Sequence, residues 1–91
     1  MIKNEEYNEF FDAILTLKTR EECYDFFSDA CTPKEINSIA QRFVVAKMLN
    51  EKCVYNEIIE KTGASTATIS RVSRSINNGF QLAFDRLSKD K

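Results

Sequence analysis

The chain has 91 residues, 43% of them apolar and 30% charged, with two glycines, one proline and a formal charge of −1. Those proportions fit one small globular domain, 1–91, and argue against disorder or a many-stranded sheet with tight turns. Histidine is absent, which excludes Ser–His or Cys–His nucleophilic pairs and histidine metal sites within one chain, so no catalytic residue, metal or cofactor is expected.

The near-zero charge hides a polarity. Residues 1–31 carry three bases and eight acids, a net of −5, whereas residues 32–91 carry ten bases and six acids, a net of +4. From Lys61 to Ile76 there are three bases and no acid, a stretch suited to meeting an anion. The cysteines Cys23, Cys31 and Cys53 show neither CxxC nor zinc spacing. They read as small core residues of a reduced, cytoplasmic protein. The start, MIKNEEYNEF, lacks an apolar signal region. No window approaches the roughly 18 apolar residues that span a membrane, so no membrane partner is expected.

The elements follow in order. Tyr7, Phe10, Phe11 and Ile14 recur at i, i+3, i+4 and i+7, one stripe of a helix predicted from about Asn4 to Lys18. Thr19 with Glu22 reads as a capping box opening a second helix, whose stripe is Cys23, Phe26, Phe27 and Ala30. Together these form an N-terminal pair within 1–31. Thr32-Pro33-Lys34-Glu35 is a stronger start: threonine caps, proline fits the first turn and glutamate completes the box. The third helix, 33–50, is apolar most of the way round its second half, from Phe43 to Leu49. An all-round apolar helix is a buried helix, and so short a chain can hardly enclose it. A homodimer with this helix at its centre is expected.

Residues 54–77 read as a helix-turn-helix. Ile58 and Ile59 lie on a first helix that Gly63 stops in the left-handed conformation. Ser65 or Thr66 caps a second, with Ile69, Val72 and Ile76 inward. Ile58, Ile59, Ala64, Ile69 and Val72 fill the wedge between the two. The outward face carries Thr66, Ala67, Ser70, Arg71, Ser73 and Arg74, with no carboxylate. Such a face enters a major groove without steric or charge penalty. A last helix is predicted over 79–89. The fold class is therefore all-α, with about six short helices.

TPKEINSIAQR followed by KTGASTATISRVSRSI resembles the Trp repressor superfamily, with a closer likeness to its TrpR-related YerC/YecD-type branch in Gram-positive bacteria. The resemblance covers about Thr32 to Ile76, half the chain. It implies an interlocked, Trp-repressor-like homodimer presenting two reading heads to double-stranded DNA. In the Trp repressor a tryptophan corepressor sits between the central and recognition helices. By resemblance, Thr32 matches the threonine at the amino-group end of that pocket. Arg42 matches the arginine over the indole, Arg71 the arginine under it and near DNA phosphates, and Ser75 the serine facing the amino group. At Val72 the repressor has a glycine against the indole. Three added carbons intrude on a site that depends on close backbone approach, and binding of DNA without tryptophan is expected.

The expected function is thus that of a sequence-specific DNA-binding transcriptional regulator of the repressor type, not an enzyme, with any small-molecule effector left open. Arg71, Arg74 and Lys61 would meet phosphates, and Thr66, Ala67, Thr68 and Ser70 base edges. The alternative is a protein–protein interaction module using the same head on an acidic partner.

Overall fold

The computed structural model describes residues 3–76 and 78–89 and contains six α-helices: α1 (Glu5–Ile14), α2 (Arg20–Ala30), α3 (Pro33–Asn50), α4 (Tyr55–Thr62), α5 (Thr66–Ser75) and α6 (Asn78–Lys89). No strand occurs among the described residues. Residue 77, the last of the expected helix-turn-helix segment, lies outside them, as do residues 1, 2, 90 and 91. The chain divides into two compact units, Met1–Ile36 and Asn37–Lys91.

In the first unit the capping residues set the helix starts. Asn4 accepts from the Tyr7 amide at 2.9 Å and opens α1. The helix ends at Ile14, four residues short of the expected Lys18. Leu15 and Leu17 continue the apolar pattern, but the backbone tightens to Thr16 N–H→Ala13 O and Leu17 N–H→Ile14 O. The Thr16 hydroxyl donates to the same Ala13 carbonyl at 2.6 Å. Local hydroxyl bonding of this kind competes with helix propagation. Thr19 caps α2, accepting from Glu22 N–H at 3.1 Å. The Glu22 carboxylate does not close the expected box on Thr19. It accepts from Lys18 N–H instead, one residue further back, at 2.8 Å. The box at Thr32 is complete, with Glu35 N–H→Thr32 Oγ1 at 3.1 Å and Thr32 N–H→Glu35 Oε1 at 2.8 Å. Phe10 of α1 and Phe26 of α2 pair at 5.7 Å between ring centroids. No described residue of this unit is buried, and Leu15 is 80% and Tyr24 71% exposed. Cys23 is exposed, not the core residue expected; Cys31 and Cys53 are half-buried.

The second unit has a core of Val45, Ala46, Ile58, Ala64, Ile69, Val72 and Phe84. Val45 and Ala46 of α3 are fully enclosed, with Phe43, Met48 and Leu49 packed against the cluster, whereas Ile39 and Ala40 are exposed. Phe43 meets Phe80 edge-on at 5.3 Å and Phe84 at 5.5 Å, which anchors α6 to α3. Helix α3 ends in a Schellman motif: Cys53 N–H→Met48 O and Lys52 N–H→Leu49 O, both 3.0 Å. Lys52 takes the left-handed position, φ 66°, which glycine usually fills.

Candidate nucleic-acid interface

Helices α4 and α5 join through Gly63, whose φ of 72° caps α4 as the sequence implied. The turn is closed by Thr62, whose hydroxyl donates to Ile58 O at 2.7 Å and accepts from Ala64 N–H at 3.1 Å. Gln41 of α3 donates to the Thr62 carbonyl at 3.0 Å and so ties the turn to α3. At the start of α4 there is only half a box: Glu57 accepts from Val54 N–H at 3.1 Å, and valine has no acceptor to return the bond. Inside the angle, Ile58, Ala64, Ile69 and Val72 are buried and Ile59 is half-buried. That is the wedge drawn from the sequence.

Ser65 rather than Thr66 caps α5. Its oxygen accepts from Thr68 N–H at 3.1 Å, and its hydroxyl donates to Thr68 Oγ1 at 3.0 Å. Helices α1 to α4 each carry a glutamate in the first turn; α5 carries none. The partial positive charge of its N-terminus is thus left unopposed by its own side chains.

Of the expected DNA-facing set, Lys61, Thr66, Ala67, Arg71 and Arg74 are exposed, as is Ser73, while Thr68 and Ser70 are half-buried. Thr68 turns toward a groove of about 430 Å³ between α3 and α5, lined also by Ser38, Gln41 and Arg42 and by Arg71, Val72 and Ser75. Three of the four pocket residues matched by resemblance therefore meet there. The fourth, Thr32, belongs to the first unit, where it caps α3. Val72 serves both places: it is buried in the wedge and forms one wall of the groove.

Ser38 and Gln41 were missed in the sequence. Their signal was present, because Ser38, Gln41 and Arg42 are spaced i, i+3, i+4 and make a polar strip on a largely apolar helix. Ser75 donates its hydroxyl to Val72 O at 3.2 Å. Among the described residues the one ion pair is Lys47–Glu51 at 3.7 Å, so Arg42 and Arg71 have no carboxylate partner there. No group of three or more His, Cys, Asp or Glu side chains placed to hold a metal ion occurs among the described residues, and no helix there is long and apolar enough to cross a membrane.

Fold and site define an all-helical protein with a helix-turn-helix head. The Trp repressor family model matches residues 5–88, and the chain belongs to that family. It is 50% identical over 91 residues to the uncharacterized protein YerC of Bacillus subtilis (strain 168), covering 97% of this chain and 88% of YerC. It is 34% identical over 71 residues to a Trp operon repressor homolog of Chlamydia caviae, covering 77% of this chain and 70% of the relative. The crystal structure of a TrpR-like protein from Eubacterium eligens superposes with a TM-score of 0.90 at 55% identity, covering 94% of this chain and 92% of that one.

Proposed function

We propose that this chain is a sequence-specific DNA-binding transcriptional regulator, a cytoplasmic repressor that acts as a homodimer and does not require tryptophan. The observation that carries the reading is the exposed face of α5, where Thr66, Ala67, Arg71, Ser73 and Arg74 stand together without a carboxylate. Arg71, Arg74 and Lys61 contact phosphates. Thr66 and Ala67, nearest the N-terminus of α5, contact base edges, and Thr68 and Ser70 contribute from the sides of the helix. Membership of the Trp repressor family supports the reading.

Exposed Tyr7, Phe10, Phe11, Leu15 and Tyr24 support dimerisation, since apolar surface of that extent on so small a chain calls for a partner. Both units then belong to one domain completed by the second copy. Two heads about 34 Å apart read a two-fold related operator. The valine at Val72, where the Trp repressor has glycine, supports independence from tryptophan.

The test is DNA retention by wild type and by Arg71→Ala across a salt series. Arg71→Ala weakens binding to all sequences and reduces the salt slope by about one for each phosphate left unneutralised. Unchanged affinity in Arg71→Ala would sink the proposed docking. Retention without sequence preference would favour a charge-driven interaction module instead.

A further inference from the structure

The helix-turn-helix is held against α3 in two different ways. Toward the end of α3, Val45 and Ala46 share one buried core with Ile58 and Ile69 of the head. Apolar burial of this kind is strong but has no preferred direction. Toward the start of α3 the contact is of another kind. Asn37, Ser38, Ile39 and Ala40 are all exposed, and a groove of about 430 Å³ lies between α3 and α5. The polar tie there is a half-buried bond, Gln41 Nε2→Thr62 O at 3.0 Å. Every other side-chain hydrogen bond among the described residues joins positions two to four apart, whereas this one spans 21.

The tie sits at the hinge of the head. Thr62 is the last residue of α4, so its carbonyl is one of the end carbonyls that a helix leaves unpaired. The next residue is Gly63, where the chain turns at φ 72°. The Thr62 hydroxyl spans that turn, donating to Ile58 O and accepting from Ala64 N–H. One residue thus fixes the shape of the turn through its side chain and its place on α3 through its carbonyl. A hydrogen bond supplies the direction that the apolar core lacks, because it weakens steeply away from its best distance and angle. Helix α5 follows the turn at once and is ten residues long, about 15 Å. A rotation of about 10° at the turn would carry its far end about 2–3 Å. That exceeds the tolerance of a hydrogen bond to a base edge or a phosphate.

We propose that Gln41 is a positioning residue: its amide latches the helix-turn-helix to α3 and sets the angle at which α5 meets the major groove, without itself touching DNA. The proposal rests on the reading of α5 as the DNA-facing helix. The latch serves discrimination more than affinity. Phosphate contacts from the long side chains of Lys61, Arg71 and Arg74 tolerate a tilted head, whereas base contacts from the short side chains of Thr66 and Ala67 do not. Loss of the latch lowers affinity for a preferred sequence and leaves non-specific binding nearly unchanged.

The test compares the full chain as wild type, Gln41→Met and Gln41→Lys on two duplexes at one ionic strength. One duplex is selected from random sequence by the wild type, and the other is a shuffled duplex of the same length and composition. Gln41→Met keeps the length of the side chain and removes the donor. It should lose about fivefold or more in affinity for the selected duplex and less than about twofold for the shuffled one. Gln41→Lys puts a donor back within reach of the Thr62 carbonyl. Its charge raises affinity for both duplexes, and the ratio between them should stay within about twofold of the wild type. A side chain that only fills space gives the reverse order, with methionine tolerated and lysine not. Equal discrimination by wild type and Gln41→Met overturns the proposal, as does a Gln41→Lys that discriminates no better than Gln41→Met. Loss of helix by circular dichroism in Gln41→Met, repeated in Gln41→Leu, would mean that the bond holds the fold rather than the angle, and overturns it too. A wild type that selects no sequence overturns the DNA reading first, and the proposal with it.

Discussion

Residues 3–36 and residues 37–89 are built from the same kind of element, yet their interiors differ. In the first unit, helix ends are fixed by Asn4, Thr19 and Thr32, but no residue is buried and Phe10 and Phe11 remain about 40% exposed. In the second, Ser65 and Gly63 do the same terminal work, and seven apolar residues are buried as well. Capping quality and core quality are therefore independent. A side chain three residues from an amide can satisfy it in water, whereas burial needs partners from other helices. The second unit finds them among α3, α4, α5 and α6. The apolar stripe of the first stays exposed on this chain.

The largest effect that would sharpen this contrast comes from the core of the head. Ile69→Ala removes a fully enclosed side chain and should cost about 2–5 kcal/mol. Denaturant unfolding followed by circular dichroism measures it, and a loss below about 1 kcal/mol would mean the wedge is not a packed core. Phe10→Ala tests the other unit. It should cost about 1–3 kcal/mol, and on the proposed dimer, in which a second copy covers the ring, the loss should depend on protein concentration. Sedimentation equilibrium of the wild type should give a dimer, and Phe10→Ala should dissociate more readily. Melting that is independent of concentration in both proteins breaks the comparison.

A smaller effect, of opposite sign, lies at the end of α3. Lys52→Gly should stabilise by roughly 0.5–1 kcal/mol, because relief at φ 66° outweighs the added freedom of the unfolded chain. A lower melting temperature in the variant would count against the Schellman geometry. The smallest effect is at the start of the same helix. The Thr32 backbone amide, and next its hydroxyl, hold the Glu35 carboxyl below the usual glutamate range. A depressed folded value means the stabilisation is full above the unfolded value and fades as pH falls through the folded one. The melting difference between wild type and Glu35→Gln should therefore be present at neutral pH and shrink in acid. A difference that is constant with pH would remove the box.

Helix α3 was legible from the sequence at both ends because its start signal is complete and its apolar run stops at Asn50. Helix α1 is shorter than its pattern suggests, since periodicity carries on through Leu15 and Leu17 while the hydroxyl of Thr16 and the Glu22–Lys18 bond end it. The head was legible because its inward and outward residues differ in kind. The groove was legible only in part. Arg42 and Arg71 stood out as charges, whereas the polar strip of Ser38, Gln41 and Arg42 on α3 shows in the spacing but names no partner until α5 is placed opposite. Whether Thr68 faces outward or into the groove depends on a rotation that a one-residue spacing argument does not resolve. The exposure of Cys23 could not be read from residue type, because a thiol's usual burial says nothing about how many helices are at hand to cover it.

The side-chain hydrogen bonds at the helix ends and turns bear on how fast the molecule forms. Among the described residues nearly all join positions two to four apart, and the long one there, Gln41 to Thr62, spans 21 positions. Chains whose contacts are local close only short loops on the way to the native state and fold in microseconds to milliseconds. On the proposed dimer, each protomer's helices should then form well before two protomers meet. The refolding of this protein should show a fast phase that ignores concentration and a slower one that scales with it, with the second marking the moment at which the apolar stripe of α1 finds cover.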